Sequence, residues 1–278
     1  MNSVFGALLS VAISILAASS AHAATISIVD GDIYVEGPIE SGDFDQFQRA
    51  FAQTEGPVSV RLNSPGGNLL EALRIARLVR SAWMVTELPG GMFEQQEWKG
   101  LPTPVRCDSA CALIFITGAA RIYMIDDEVN GRPGLGFHRA FLNPDVNVAL
   151  DPSSSEREFA RANESYLAAL AEFGAPQAFV EFVSRTRSDE LLLLGATEYY
   201  RVFGESRQLG DGIPWLEEYF TAQCGHRLTD AEYSWMDKHR DEAEGKGLHE
   251  RIYERLSCIS ALTLDHQDKI RRQLRGTP

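Results

Sequence analysis

Three short segments of the chain hold residue types that acyl transfer needs. The first, Asn63-Ser64-Pro65-Gly66-Gly67, ends an apolar strand and opens a helix. Glycines there let backbone N–H groups turn outward where a β-carbon would obstruct them, and such amides can hold an anion or an oxyanion. An ordinary tight strand-to-helix turn has the same composition. The second, Asp108-Ser109-Ala110-Cys111, sets a hydroxyl just before the apolar run 112–116, near a helix N-terminus whose dipole favours developing negative charge. A serine in that position is more often a helix cap than a nucleophile. The third, Gly136-Phe137-His138-Arg139, closes a strand on a histidine, which taken alone reads as a packing residue. A serine hydroxyl is a weak nucleophile at neutral pH and needs a base within hydrogen-bond reach, so each segment gains weight from the others.

The elements that must position these segments follow from periodicity. Residues 25–36 alternate around Asp30-Gly31, a strong hairpin signal. A helix over 43–53, a strand over 58–62, a glycine turn and a helix over 68–81 then imply βαβ packing. The 68–81 helix carries Leu69, Leu70, Leu73, Ile75, Ala76 and Val79 between Glu71, Arg74, Arg77 and Arg80, an apolar stripe that must lie on a sheet. Further alternation follows: a strand over 84–88, a helix over 109–118, a strand over 121–125 and a strand ending at His138. The fold class is α/β. Gly- and Pro-containing stretches near 88–106 and 126–136 read as loops at a working face. A long amphipathic helix spans 153–173, closed by Gly174. After about residue 213 the pattern changes to charged helical segments, with Thr229 and Glu232 as a capping box.

The chain has 278 residues, 44% apolar and 23% charged, which is ample for a sizeable core and outside the disordered range. Residues 4–18 are an uncharged apolar run too short to cross a bilayer comfortably, followed by Ala21-His22-Ala23. This reads as a signal peptide cleaved after Ala23, although no Lys or Arg precedes the run; a retained N-terminal anchor is the alternative. Export would put Cys107, Cys111, Cys224 and Cys258 where disulfides persist. Four cysteines allow three pairings, and sequence proximity favours Cys107–Cys111 and Cys224–Cys258. The net charge of −13 and the lack of a long basic stripe argue against a nucleic-acid partner. His226, His239, His249 and His266 show no metal-ligand spacing, and no metal or other cofactor is expected.

In order and spacing the three segments resemble the Clp peptidase family: the NSPGG turn, the serine followed by small and apolar residues (SACALIFITG), and the histidine closing an apolar strand. The resemblance covers roughly residues 25–212. It implies a ClpP/crotonase-type fold of stacked βαβ units with a protruding helix, for which 153–173 is the candidate. Residues 24–212 would form that domain and 213–278 a small helical extension. It also implies Ser109 as nucleophile, His138 as base and Asp189 as third member. Asp189 lies 51 residues after His138 in Thr186-Arg187-Ser188-Asp189. The stretch 196–204 that follows is only similar to the family's pattern, and a surface helix cap is the alternative reading of Asp189. The N–H groups of Gly67 and Ala110 would form the oxyanion hole, with Gly66 and Gly67 at the substrate. The expected partner is a peptide or unfolded segment, and ring assembly of identical subunits follows from the resemblance alone. An exported chain is separated from ATP-driven unfoldases and carries no G-x-x-x-x-G-K-[ST] motif of its own, so it should act without ATP. Gly67 and Ser109 are 42 residues apart, longer than the family's usual interval; the surplus falls in the 88–106 loop, which could cover the site. Two other readings remain: a catalytically inactive scaffold of the cell envelope, and a crotonase-like acyl-thioester enzyme, against which export counts.

Overall fold

The computed structural model describes residues 23–89, 104–140, 152–187, 189–204, 209–227, 229–239 and 243–276. The expected signal peptide and most of the 88–106 loop lie outside these residues. Strands β1 (Thr25–Val29) and β2 (Asp32–Glu36) pair antiparallel. Asp30 and Gly31 between them both have positive φ (52° and 91°), the left-handed pair that matches strand twist in a two-residue hairpin. Helix α1 (Asp43–Gln53), strand β3 (Ser59–Asn63), helix α2 (Leu69–Ser81) and strand β4 (Val85–Leu88) follow. Asn68 caps α2, its side chain accepting from the N–H groups of Leu70 and Glu71 at 3.0 and 3.2 Å.

Next come β5 (Cys107–Asp108), α3 (Ala110–Ile116), β6 (Ala120–Tyr123), α4 (Asp127–Asn130) and β7 (Leu135–Phe137). Then come α5 (Pro152–Glu172), α6 (Gln177–Arg185), β8 (Leu192–Leu194) and α7 (Ala196–Phe203). Strands β1-β2-β3-β4-β6 form one sheet, parallel from β2 onward, and β5-β7-β8 form a second. A bridge between Ser64 and Cys107 couples the two sheets just past the end of β3. All seven residues of α3 are buried, so this helix is the centre of the core rather than an amphipathic cover. The helix is shorter than the 109–118 expected, and Ser109 stands just outside it as its N-cap residue.

Helix α5 is docked through its second half, where Tyr166, Ala169, Leu170 and the following Phe173 are buried. The C-terminal region comprises α8 (Pro214–Cys224), α9 (Asp230–Lys238) and α10 (Ala243–Arg275). It returns to the main body. Ile213, Leu216, Phe220 and Ile259 enclose Trp83 and Ala119 in a second apolar cluster. The guanidinium of Arg271, 1% exposed, reaches Thr54 Oγ1 at 3.3 Å and lies 4.9 Å over the Phe51 ring. Both expected cysteine pairs are disulfides.

Candidate active site

Ser109 occupies a sharp turn between β5 and α3 with φ 56° and ψ −119°, a conformation a residue with a β-carbon adopts only under constraint. The constraint is visible on both flanks. The N–H of Asp108 donates to the Ser64 carbonyl at 3.0 Å, and the N–H of Ser109 donates to the Gly136 carbonyl at 2.7 Å. The Cys107–Cys111 disulfide then joins the strand to the first turn of α3 across the serine. Ser109 stands at the N-cap position of α3, but its side chain makes no capping bond. Backbone strain of this kind is held where it serves a purpose, as in the strand-to-helix turns that expose nucleophilic serines.

The glycine turn lies directly against the serine turn. A β-carbon on Gly66 would stand 2.5 Å from the Asp108 carbonyl oxygen, 2.9 Å from Ser109 Cβ and 3.0 Å from the Ala110 nitrogen. A β-carbon on Gly67 would stand 2.2 Å from the Ile39 carbonyl oxygen. Only glycine fits at both positions, and both have positive φ (87° and 140°). Ser64 Oγ accepts the Gly66 N–H at 3.0 Å and fixes the turn. Among the described residues, neither the Gly67 nor the Ala110 N–H donates to a backbone carbonyl.

His138 arrives from the neighbouring strand. β5 and β7 run parallel with Cys107 opposite Leu135 and Asp108 opposite Gly136, so positions 109 and 138 leave adjacent strand ends. The imidazole is 5% exposed, and its Nδ1 lies 2.6 Å from the Arg139 carbonyl oxygen. A carbonyl only accepts, so Nδ1 carries the hydrogen and the neutral ring keeps its basic lone pair on Nε2. Burial pushes the His138 pKa below its ordinary value of 6.5; the Arg139 carbonyl and, beyond it, the Asp108 carboxylate oppose that shift without overcoming it. The ring is neutral at neutral pH.

Asp189 is not brought to this ring. It lies on an exposed turn, where Arg187 Nε and Nη2 grip its two carboxylate oxygens at 2.9 and 2.8 Å. That hydrogen-bonded guanidinium holds its carboxyl below the usual range. The physical reason is local: a guanidinium two residues away captures an exposed carboxylate with little chain ordering, and the His138 Nδ1 hydrogen already has a backbone acceptor.

One charged residue of the site escaped the sequence reading. Asp108, 3% exposed, receives a fork from Arg132, with Nη2 to Oδ1 at 2.7 Å and Nη1 to Oδ2 at 3.2 Å. Its adjacency to Ser109 and an arginine in the 126–136 loop were the only signals.

The fold is mixed α/β. No family model matches the sequence, and no curated protein matches it. Among solved structures, a ClpP1 mutant from Listeria monocytogenes is similar at 13% identity with a TM-score of 0.43, covering 65% of this chain and 94% of that one. A similarity this weak carries no argument about function, and the chemistry rests on the residues of the site themselves.

Proposed function

We propose that the chain is an exported, ATP-independent serine peptidase that hydrolyses peptides or unfolded segments. The observation that carries this reading is Ser109. It is a partly buried serine in a strained turn, makes no capping bond, and is pressed against a glycine turn on one side and the strand leading to His138 on the other. In the proposed step, His138 Nε2 takes the Ser109 proton as Oγ attacks the substrate carbonyl, and the Gly67 and Ala110 N–H groups receive the oxyanion. The imidazolium then gives its proton to the leaving amine, and water hydrolyses the acyl-serine by the reverse sequence. The Arg139 carbonyl keeps the imidazole in the productive tautomer. The two disulfides support an oxidising, exported setting, and among the described residues no helix is long and apolar enough to cross a membrane.

A fluorophosphonate probe applied to the oxidised protein tests the reading. The expected result is an adduct on Ser109 that Ser109→Ala abolishes and His138→Ala slows by at least roughly 10³-fold. A folded, oxidised protein that gives no adduct at Ser109 would overturn it. The engagement of Asp189 by Arg187 favours a second reading, a catalytically inactive scaffold, and that absence of adduct would select it.

A further inference from the structure

We propose that Asp108, rather than Asp189, is the carboxylate that supports the His138 imidazolium during proton transfer, and that Arg132 tunes it. The inference rests on the Ser109–His138 reading and names its missing acid.

The geometry begins with the strand pairing. Asp108 sits opposite Gly136, and a β-carbon on Gly136 would lie 2.3 Å from Asp108 Oδ1. The carboxylate therefore fills the space that a side chain at position 136 would take. His138 follows β7 directly, two positions after Gly136, so this carboxylate lies beside the segment that carries the imidazole. The charge of Asp108 acts on the His138 titration in the direction that stabilises the cation.

Asp108 stands on β5, and Arg132 grips its carboxylate from the turn before β7. The neighbouring Arg139 guanidinium is drawn away over the Phe159 ring at 5.4 Å. Asp108 acts through His138 and not on substrate, so it is a positioning residue. Because the Arg139 carbonyl already fixes the tautomer, the role left to Asp108 is electrostatic. Its loss should slow acylation by roughly tenfold rather than by the ~10⁴-fold that follows a wrong tautomer.

The test is an NMR titration of His138 in the full-length, oxidised protein carrying Ser109→Ala, which needs no activity. Asp108→Asn should lower the His138 pKa by roughly 0.5 to 1 pH unit, since an opposite charge is removed, and Arg132→Gln should raise it because the carboxylate is no longer neutralised. Asp189→Asn should leave it unchanged. Opposite shifts from the two members of one ion pair are not what a merely structural pair would give. If Asp108→Asn does not fold, the upward shift in Arg132→Gln decides the question. The proposal is overturned if the first two variants move His138 in the same direction or not at all, or if Asp189→Asn reproduces the Asp108→Asn shift. Failure of probe labelling in the wild type would count against the peptidase and not against this coupling.

Discussion

Gly66→Ala perturbs the contact on which the candidate site depends. An alanine methyl at this position would sit 2.5 Å from the Asp108 carbonyl oxygen and 2.9 Å from Ser109 Cβ, closer than non-bonded carbon atoms approach. Both neighbours are backbone or Cβ atoms, so relief requires the 64–67 turn and the 108–110 turn to part by several tenths of an ångström. Two costs follow. Holding a non-glycine residue at φ 87° costs about 1–3 kcal/mol, and overpacking against a fixed backbone adds roughly 1–3 kcal/mol. Gly131→Ala provides the control: its φ is 75° but a β-carbon there would meet nothing within 4 Å, so only the first cost applies. In the proposed mechanism, displacing the 64–67 turn should also remove the Gly67 oxyanion donor, worth about 10²–10³-fold in rate. The assay pairs denaturant unfolding with the rate of fluorophosphonate labelling at Ser109. The expected outcome is that Gly66→Ala is less stable than Gly131→Ala and labels at least about 10²-fold more slowly while still folded. Labelling within threefold of the wild type in a folded Gly66→Ala protein would refute the argument that this contact aligns the serine with its amide donors.

Three other outcomes are expected. Ser109→Gly should raise stability by about 1 kcal/mol, because glycine relieves the positive φ, while abolishing the adduct; thermal melts and mass mapping check both halves. The labelling rate should titrate on its acid side with a midpoint below pH 6.5, since buried His138 must be neutral to act as a base. The same depressed pKa means that the unfolded chain binds the proton more readily, so stability is full above about pH 6.5 and is lost as pH falls towards the folded-state value. His138→Gln, which cannot charge, should flatten that part of the stability curve in acid-unfolding measurements. Finally, Arg271→Met should cost about 2–4 kcal/mol, because it leaves the Gly56 carbonyl and Thr54 hydroxyl without their guanidinium donor; chemical unfolding followed by circular dichroism would report it.

Much of the scaffold was legible because the signals are local. The Asp30-Gly31 hairpin, the Asn68-capped helix and the Thr229–Glu232 capping box depend on residues within a few positions of one another. The Ser109 segment and the glycine turn were legible as motifs, since glycine beside a strand end signals close backbone approach. Asp189 misled for the complementary reason. Spacing along the chain marks where a residue stands in sequence, but its carboxylate goes to whichever donor is nearest in space, and Arg187 is nearer.

The amino-acid sequence by itself determined the alternation of strands and helices, the disulfide pairs favoured by proximity and the segments proposed for acyl chemistry, because periodicity, turn propensity and short separations are properties of neighbouring residues. Only the tertiary structure decided the strained conformation of Ser109, the setting of Asp108 between Arg132 and the His138 strand, and the return of α10 onto α1. Those depend on backbone contacts between strands and on pairs such as Arg271 with Thr54, 217 positions apart, which become neighbours only when the core closes.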